Sequence, residues 1–130
     1  MSTAKYPEKI LIVEDEEPMA VTLADNLVNA GFLEPLRARN GIEGLKLALT
    51  EQPDIILLDI VMPKTDGMTM LKRLREDQNG KHMKVIVLTN LTADEPIMGS
   101  VVKTEPSYYL VKSDHSIDDV LEKVKSVLGK

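Results

Sequence analysis

The stretch Ile55-Ile56-Leu57-Leu58-Asp59, followed at once by Met62-Pro63 and Asp66-Gly67, is an apolar run that ends in a carboxylate and a turn. Four consecutive large aliphatic residues cannot alternate between core and solvent, so they read as an interior strand of a parallel sheet, apolar on both faces. Asp59 then marks the carboxyl edge of that strand. Open α/β sheets place their ligand chemistry at this edge, so the polar residues closing the other apolar runs become the natural places to look.

Working outward, short apolar runs alternate with amphipathic stretches five times, the pattern of a parallel sheet covered by helices on both faces. Strands are expected over 10–13, 33–38, 55–58, 85–88 and 108–111, with Pro35 making the second a weak edge strand. A first helix over 18–30 sets Met19, Leu23 and Leu27 on one face, with Pro18 in its first turn and Gly31 as its stop. Asn40 and Glu43 resemble a capping box opening a second helix that carries Ile42, Leu45, Ala48 and Leu49. The third helix, about 67–77, turns Met70, Leu71 and Leu74 inward and stops at Asn79-Gly80. A fourth is expected over 96–104, weakened by Gly99 and closed by Pro106. Ser116 and Asp119 cap a last helix striped by Ile117, Val120, Leu121, Val124, Val127 and Leu128 and ended by Gly129. The fold class expected is α/β, a doubly wound (βα)5 arrangement of the flavodoxin-like type with sheet order 2-1-3-4-5.

Composition agrees with one globular domain over 1–130: 43% hydrophobic and 28% charged residues suffice for a core without a staple. With no cysteine, disulfides, thiolate metal sites and thiol catalysis are excluded. A net charge of −5 without a basic block argues against direct nucleic-acid binding and favours a cationic or protein partner. The polar amino end lacks the apolar segment of a signal peptide, and no apolar run approaches the roughly 20 residues of a membrane span. A cytoplasmic protein is the expectation.

Each strand expected at the centre of the sheet ends in a polar group. Glu14 and Asp15 follow the first, Asp59 the third, Thr89 the fourth and Lys112 the fifth. With order 2-1-3-4-5 the first and third strands adjoin at the switch point, so Asp15 and Asp59 should face each other. Clustered carboxylates repel one another unless a cation neutralises them, and an all-oxygen set with no His or Cys beside it favours Mg²⁺. Lys112 adds positive charge and Thr89 a hydroxyl donor, both suited to a phosphoryl group.

These residues together resemble the receiver domain of bacterial two-component response regulators, the CheY-like family, and the likeness covers nearly the whole chain. It rests on Glu14-Asp15, on Asp59 with Met62-Pro63 and Asp66-Gly67, on Thr89, and on Tyr109 three positions before Lys112. The resemblance implies that Asp59 is the phosphoacceptor, that Asp15 and the carbonyl of Val61 are Mg²⁺ ligands, and that Glu14 acts on the ion through water. It implies Thr89 and Tyr109 as a switch pair, Lys112 as the charge partner of the phosphoryl group, and a histidine kinase or phosphotransfer protein as donor. An output partner would meet the face of the fourth helix, fifth strand and fifth helix. The chain departs from the family at Asn90, where a small residue is usual, at Ser113, where proline follows the lysine, and at Glu105-Pro106. Asn90 and Val61 are therefore expected to set water access to the phosphoaspartate.

Other functions share parts of this pattern. A flavodoxin-like electron carrier has the topology, but its flavin phosphate needs a Ser, Thr and Gly loop where this chain has acidic residues. A phosphatase or phosphomutase would share an Asp nucleophile, yet usually needs a cap domain that this chain has no residues to build. A phosphorylation-independent binding module would not require the acidic set, Thr89 and Lys112. Tyr108, beside Tyr109, competes for the aromatic role, and His82 and His115 read as solvent residues.

Overall fold

The computed structural model describes residues 5–59, 67–89, 108–111 and 116–130. They form a parallel sheet of order β2-β1-β3-β4-β5 from β1 (Ile10–Val13), β2 (Leu36–Ala38), β3 (Ile55–Asp59), β4 (Lys84–Thr89) and β5 (Tyr108–Val111). The described helices are α1 (Glu17–Asn29), α2 (Gly41–Glu51), α3 (Gly67–Glu76) and α4 (Ile117–Val127). The helix expected over 96–104 lies outside the described residues.

Side chains alternate across a strand, so the central strands build two cores at once. Leu11, Val13, Ile56, Leu58, Val85 and Val87 face one side, where Ala48 of α2 and Met70, Leu71 and Leu74 of α3 complete a buried cluster. Ile10, Ile12, Ile55, Leu57, Ile86 and Leu88 face the other, against Leu23 and Leu27 of α1 and Val120 and Val124 of α4. This double burial is why Ile55 to Leu58 carries no polar residue.

The second strand is shorter than expected. It begins at Leu36, because Pro35 has no N–H to give a ladder, and Phe32 instead joins a separate parallel bridge to Tyr6. The Tyr6 and Phe32 rings lie 4.8 Å apart, which fastens the polar amino end to the body of the molecule. Of the apolar residues that α2 carries, Ile42 is 69% exposed, while Gly41, Gly44 and Ala48 are buried. A Cβ on Gly44 would lie 2.9 Å from both Met70 Sδ and Val13 Cγ2, so contact through small residues draws α2 close and leaves Ile42 outside.

The helix ends follow local chemistry. Asn40 Oδ1 accepts the Glu43 N–H at 2.9 Å, opening α2. At α4 the capping box is complete, with the Asp119 N–H donating to Ser116 Oγ at 3.2 Å and the Ser116 N–H to Asp119 Oδ2 at 3.0 Å. Beyond α1, Gly31 takes a φ of +108°, a left-handed position that glycine adopts at low cost.

Candidate functional site

Sheet register brings the acidic residues together. Val13 pairs with Leu58, so the residues that follow them, Glu14 and Asp59, leave adjacent strands at the same edge. Carboxylate oxygens of Glu14, Asp15 and Asp59 all lie within 4.8 Å of one another. Glu14 and Asp59 are 3% and 6% exposed, whereas Asp15 is only half-buried. Two buried carboxylates and a half-buried third thus share one edge of the sheet.

The turn after β1 is shaped by its own backbone. The Glu14 N–H donates to the Ala38 carbonyl at 3.0 Å, extending the β1–β2 ladder past the strand end. The Glu16 N–H donates to Glu14 Oε2 at 3.4 Å, and α1 starts immediately afterwards, with Glu16 as its N-cap and proline in its first turn. Glu14 is thus held between the sheet edge and the start of α1.

Thr89 closes β4, one residue beyond the level at which Asp59 pairs with Leu88, and its backbone pairs with Val111. Tyr109 pairs with Val87 in β5. The sheet therefore brings the backbones of Asp59 and Thr89 to one edge, as expected from the sequence. Val61 and Lys112 lie outside the described residues, as do Asn90, Glu105-Pro106 and Ser113.

A neighbouring feature was not singled out from the sequence. Glu14 also lines a groove of about 560 Å³, shared with Glu17, Arg37, Arg39 and Glu43. The two arginines sit in and just after β2, and only the pairing of β2 with β1 brings them beside the acidic residues.

The family model for the response regulator receiver domain matches residues 10–125, which includes every element just described except the end of α4. This chain belongs to the response regulator receiver family. Among curated relatives of this receiver, the polar-differentiation response regulator DivK of Brucella anthropi is 33% identical over 125 residues, covering 95% of this chain and 98% of its own. The DNA-binding dual master transcriptional regulator RpaA of Synechocystis is 34% identical over 123 residues, covering 94% of this chain but 49% of its own length. A solved CheY-like receiver domain protein from Methanospirillum hungatei superimposes with a TM-score of 0.84 at 26% identity, covering 95% of each chain.

The donor set of the receiver's acidic pocket fits Mg²⁺. Its donors among the described residues are carboxylate oxygens, the hard ligands this cation takes, and Asp15 is only half-buried. No helix among the described residues is long and apolar enough to cross a membrane.

Proposed function

We propose that this receiver is a phosphorylation-controlled signalling switch in which Asp59 accepts a phosphoryl group from a histidine kinase or a phosphotransfer protein. The observation that carries the reading is the convergence of Glu14, Asp15 and Asp59 within 4.8 Å at the carboxyl edge of a receiver-family sheet. Asp15, Asp59 and the Val61 carbonyl would hold Mg²⁺ directly, with Glu14 acting through water. The cation supplies positive charge that offsets the crowding of phosphoryl and carboxylate oxygens.

In the transfer, an Asp59 carboxylate oxygen forms a bond to phosphorus as the phosphorus–nitrogen bond of the donor phosphohistidine breaks. The bonding pair leaves on the donor imidazole, and the product is an aspartyl phosphate. Lys112 and the Thr89 hydroxyl serve the phosphoryl oxygens. Drawing Thr89 toward the phosphate leaves space for Tyr109 and so alters the surface of the 96–104 segment, β5 and α4, where an output partner would bind. The protein acts as a phosphoacceptor that assists its own phosphorylation and dephosphorylation rather than as an enzyme on a separate substrate.

A single receiver domain over 1–130, working in the cytoplasm without direct nucleic-acid contact, completes the reading. This chain spans nearly all of DivK and about half of RpaA, and the reading holds for a receiver acting alone and for one within a longer chain.

The test is incubation with acetyl phosphate and Mg²⁺ followed by intact-mass measurement. One base-labile phosphoryl group is expected on the wild type and none on Asp59→Asn. A wild type that takes up no phosphoryl group would overturn the proposal.

A further inference from the structure

The groove beside the acidic pocket carries two cations in different electrostatic situations. Arg37 Nη1 lies 3.5 Å from Glu17 Oε1, so its charge is already answered by a neighbour on α1. Arg39 is exposed and makes no ion pair among the described residues. Yet it lines the same groove as the buried Glu14, one of the three carboxylates of the pocket. Its placement is a consequence of the sheet: Ala38 pairs with Val13 and accepts the Glu14 N–H, so Arg39 leaves β2 beside the residue that opens the acidic site.

An incoming phosphoryl donor is an anion approaching a cluster of carboxylates. Repulsion at that mouth slows encounter unless a positive group stands there to receive it. A guanidinium is well suited, because its planar fork of donors matches two phosphoryl oxygens and its charge does not titrate near neutral pH. Among the arginines lining the groove, Arg39 alone has that fork uncommitted to a described carboxylate.

We propose that Arg39 recognises the phosphoryl oxyanion of the incoming donor at the mouth of this groove and speeds its arrival at Asp59, an inference that rests on Asp59 being the acceptor. The chemistry recognised is the terminal phosphoryl group, which acyl phosphates and phosphohistidine share. Glu17 and Glu43 give the rest of the groove the opposite sign, so the effect belongs to one side chain and not to a broad basic patch.

Phosphorylation rates of wild type, Arg39→Gln, Arg39→Lys and Arg37→Gln are compared at saturating Mg²⁺ with acetyl phosphate and, separately, with phosphorylimidazole. Arg39→Gln should slow the reaction about tenfold at low ionic strength, the lower end of electrostatic steering effects. The gap should close near 1 M salt, where the screening length falls to about 3 Å. Arg39→Lys should fall between the two, and Arg37→Gln should stay within about twofold of wild type, its charge being already paired. A deficit with one donor only supports the proposal and assigns the recognised source to the acyl phosphate or to the phosphohistidine. Mg²⁺ affinity measured by calorimetry should be unchanged or tighter in Arg39→Gln. Equal rates for Arg39→Gln and wild type, a deficit that persists at high salt or is shared by Arg37→Gln, or weakened Mg²⁺ binding would each overturn the role of Arg39 alone. A wild type phosphorylated by neither donor would instead remove the reading of Asp59, and this inference with it.

Discussion

Two glycines show how little room single positions have near this sheet. A Cβ on Gly80 would lie 2.5 Å from Leu74 Cδ1 and 2.6 Å from the Leu74 carbonyl oxygen, and that backbone atom cannot swing aside. On Gly44 the nearest atoms are the Met70 sulfur and Val13 methyls, of which the flexible thioether can yield. Overpacking of this kind costs roughly 1–3 kcal/mol, so Gly80→Ala should sit at or above the upper end and Gly44→Ala near the lower. Urea unfolding of both variants checks the order, and a Gly44→Ala that loses more stability than Gly80→Ala would contradict it. From the sequence, Gly80 was legible only as a helix stop. Its close approach to Leu74 depends on how the turn packs back on α3, which no spacing rule encodes.

Elements are joined by polar contacts that a periodicity reading does not see. Arg75, in the last turn of α3, donates from Nη1 to the carbonyls of Gly80 at 3.0 Å and Met83 at 2.8 Å, bracing the loop that leads into β4. Hydrogen bonds from a charged donor contribute about 1.5–3 kcal/mol each in favourable settings, and this side chain is part-buried. Arg75→Met keeps much of the aliphatic stem and removes the donors, so a loss on the order of 2 kcal/mol in chemical denaturation is expected, and a variant as stable as wild type would show the contacts to be idle. By contrast, the capping box of α4 was readable as Ser116 and Asp119 three apart, since both its bonds are local. The stripe of α3 was also readable: Met70, Leu71 and Leu74 are all buried. Exposed Ile42 shows what such a pattern leaves undecided, because an apolar residue in a helix faces the core only if the helix approaches from that side.

At the scale of the molecule, charge is gathered at two ends of the sheet. The carboxyl edge holds Glu14, Asp15 and Asp59, and a cation bound only to the folded cluster must raise the melting temperature by mass action. Thermal unfolding should therefore shift upward with millimolar Mg²⁺ in wild type and much less in Asp15→Asn; an unmoved midpoint would count against a metal there. Elsewhere Lys130 Nζ lies 2.6 Å from Glu8 Oε2, tying the residues before β1 to those after α4. The Lys130 hydrogen bond holds the Glu8 carboxyl below its ordinary range. A lowered carboxylate pKa means that the unfolded chain binds the proton more readily, so this contribution is present at neutral pH and is lost as pH falls through the folded value. The stability difference between wild type and Glu8→Gln should shrink as pH is lowered through the carboxylate range. Glu8 Oε1 is buried without a hydrogen-bond partner among the described residues, which reduces what the ion pair contributes in net.

The sequence by itself determined the parallel α/β class, the strand identities and the acidic positions at strand ends, because burial on both faces of a sheet and helix capping are written in local patterns. The four aliphatic residues before Asp59 could only be interior, and a carboxylate after them had to stand at an edge. The expected order 2-1-3-4-5 already set the first strand beside the third, and the sheet has that order; tertiary structure alone decided what else stands at that edge. Parallel pairing of β1 with β3 brings Glu14 and Asp15 to Asp59, as expected, and pairing of β1 with β2 sets Arg39 in one groove with Glu14. Those contacts join residues far apart in the chain, and their proximity comes from the order of the sheet rather than from any spacing along it.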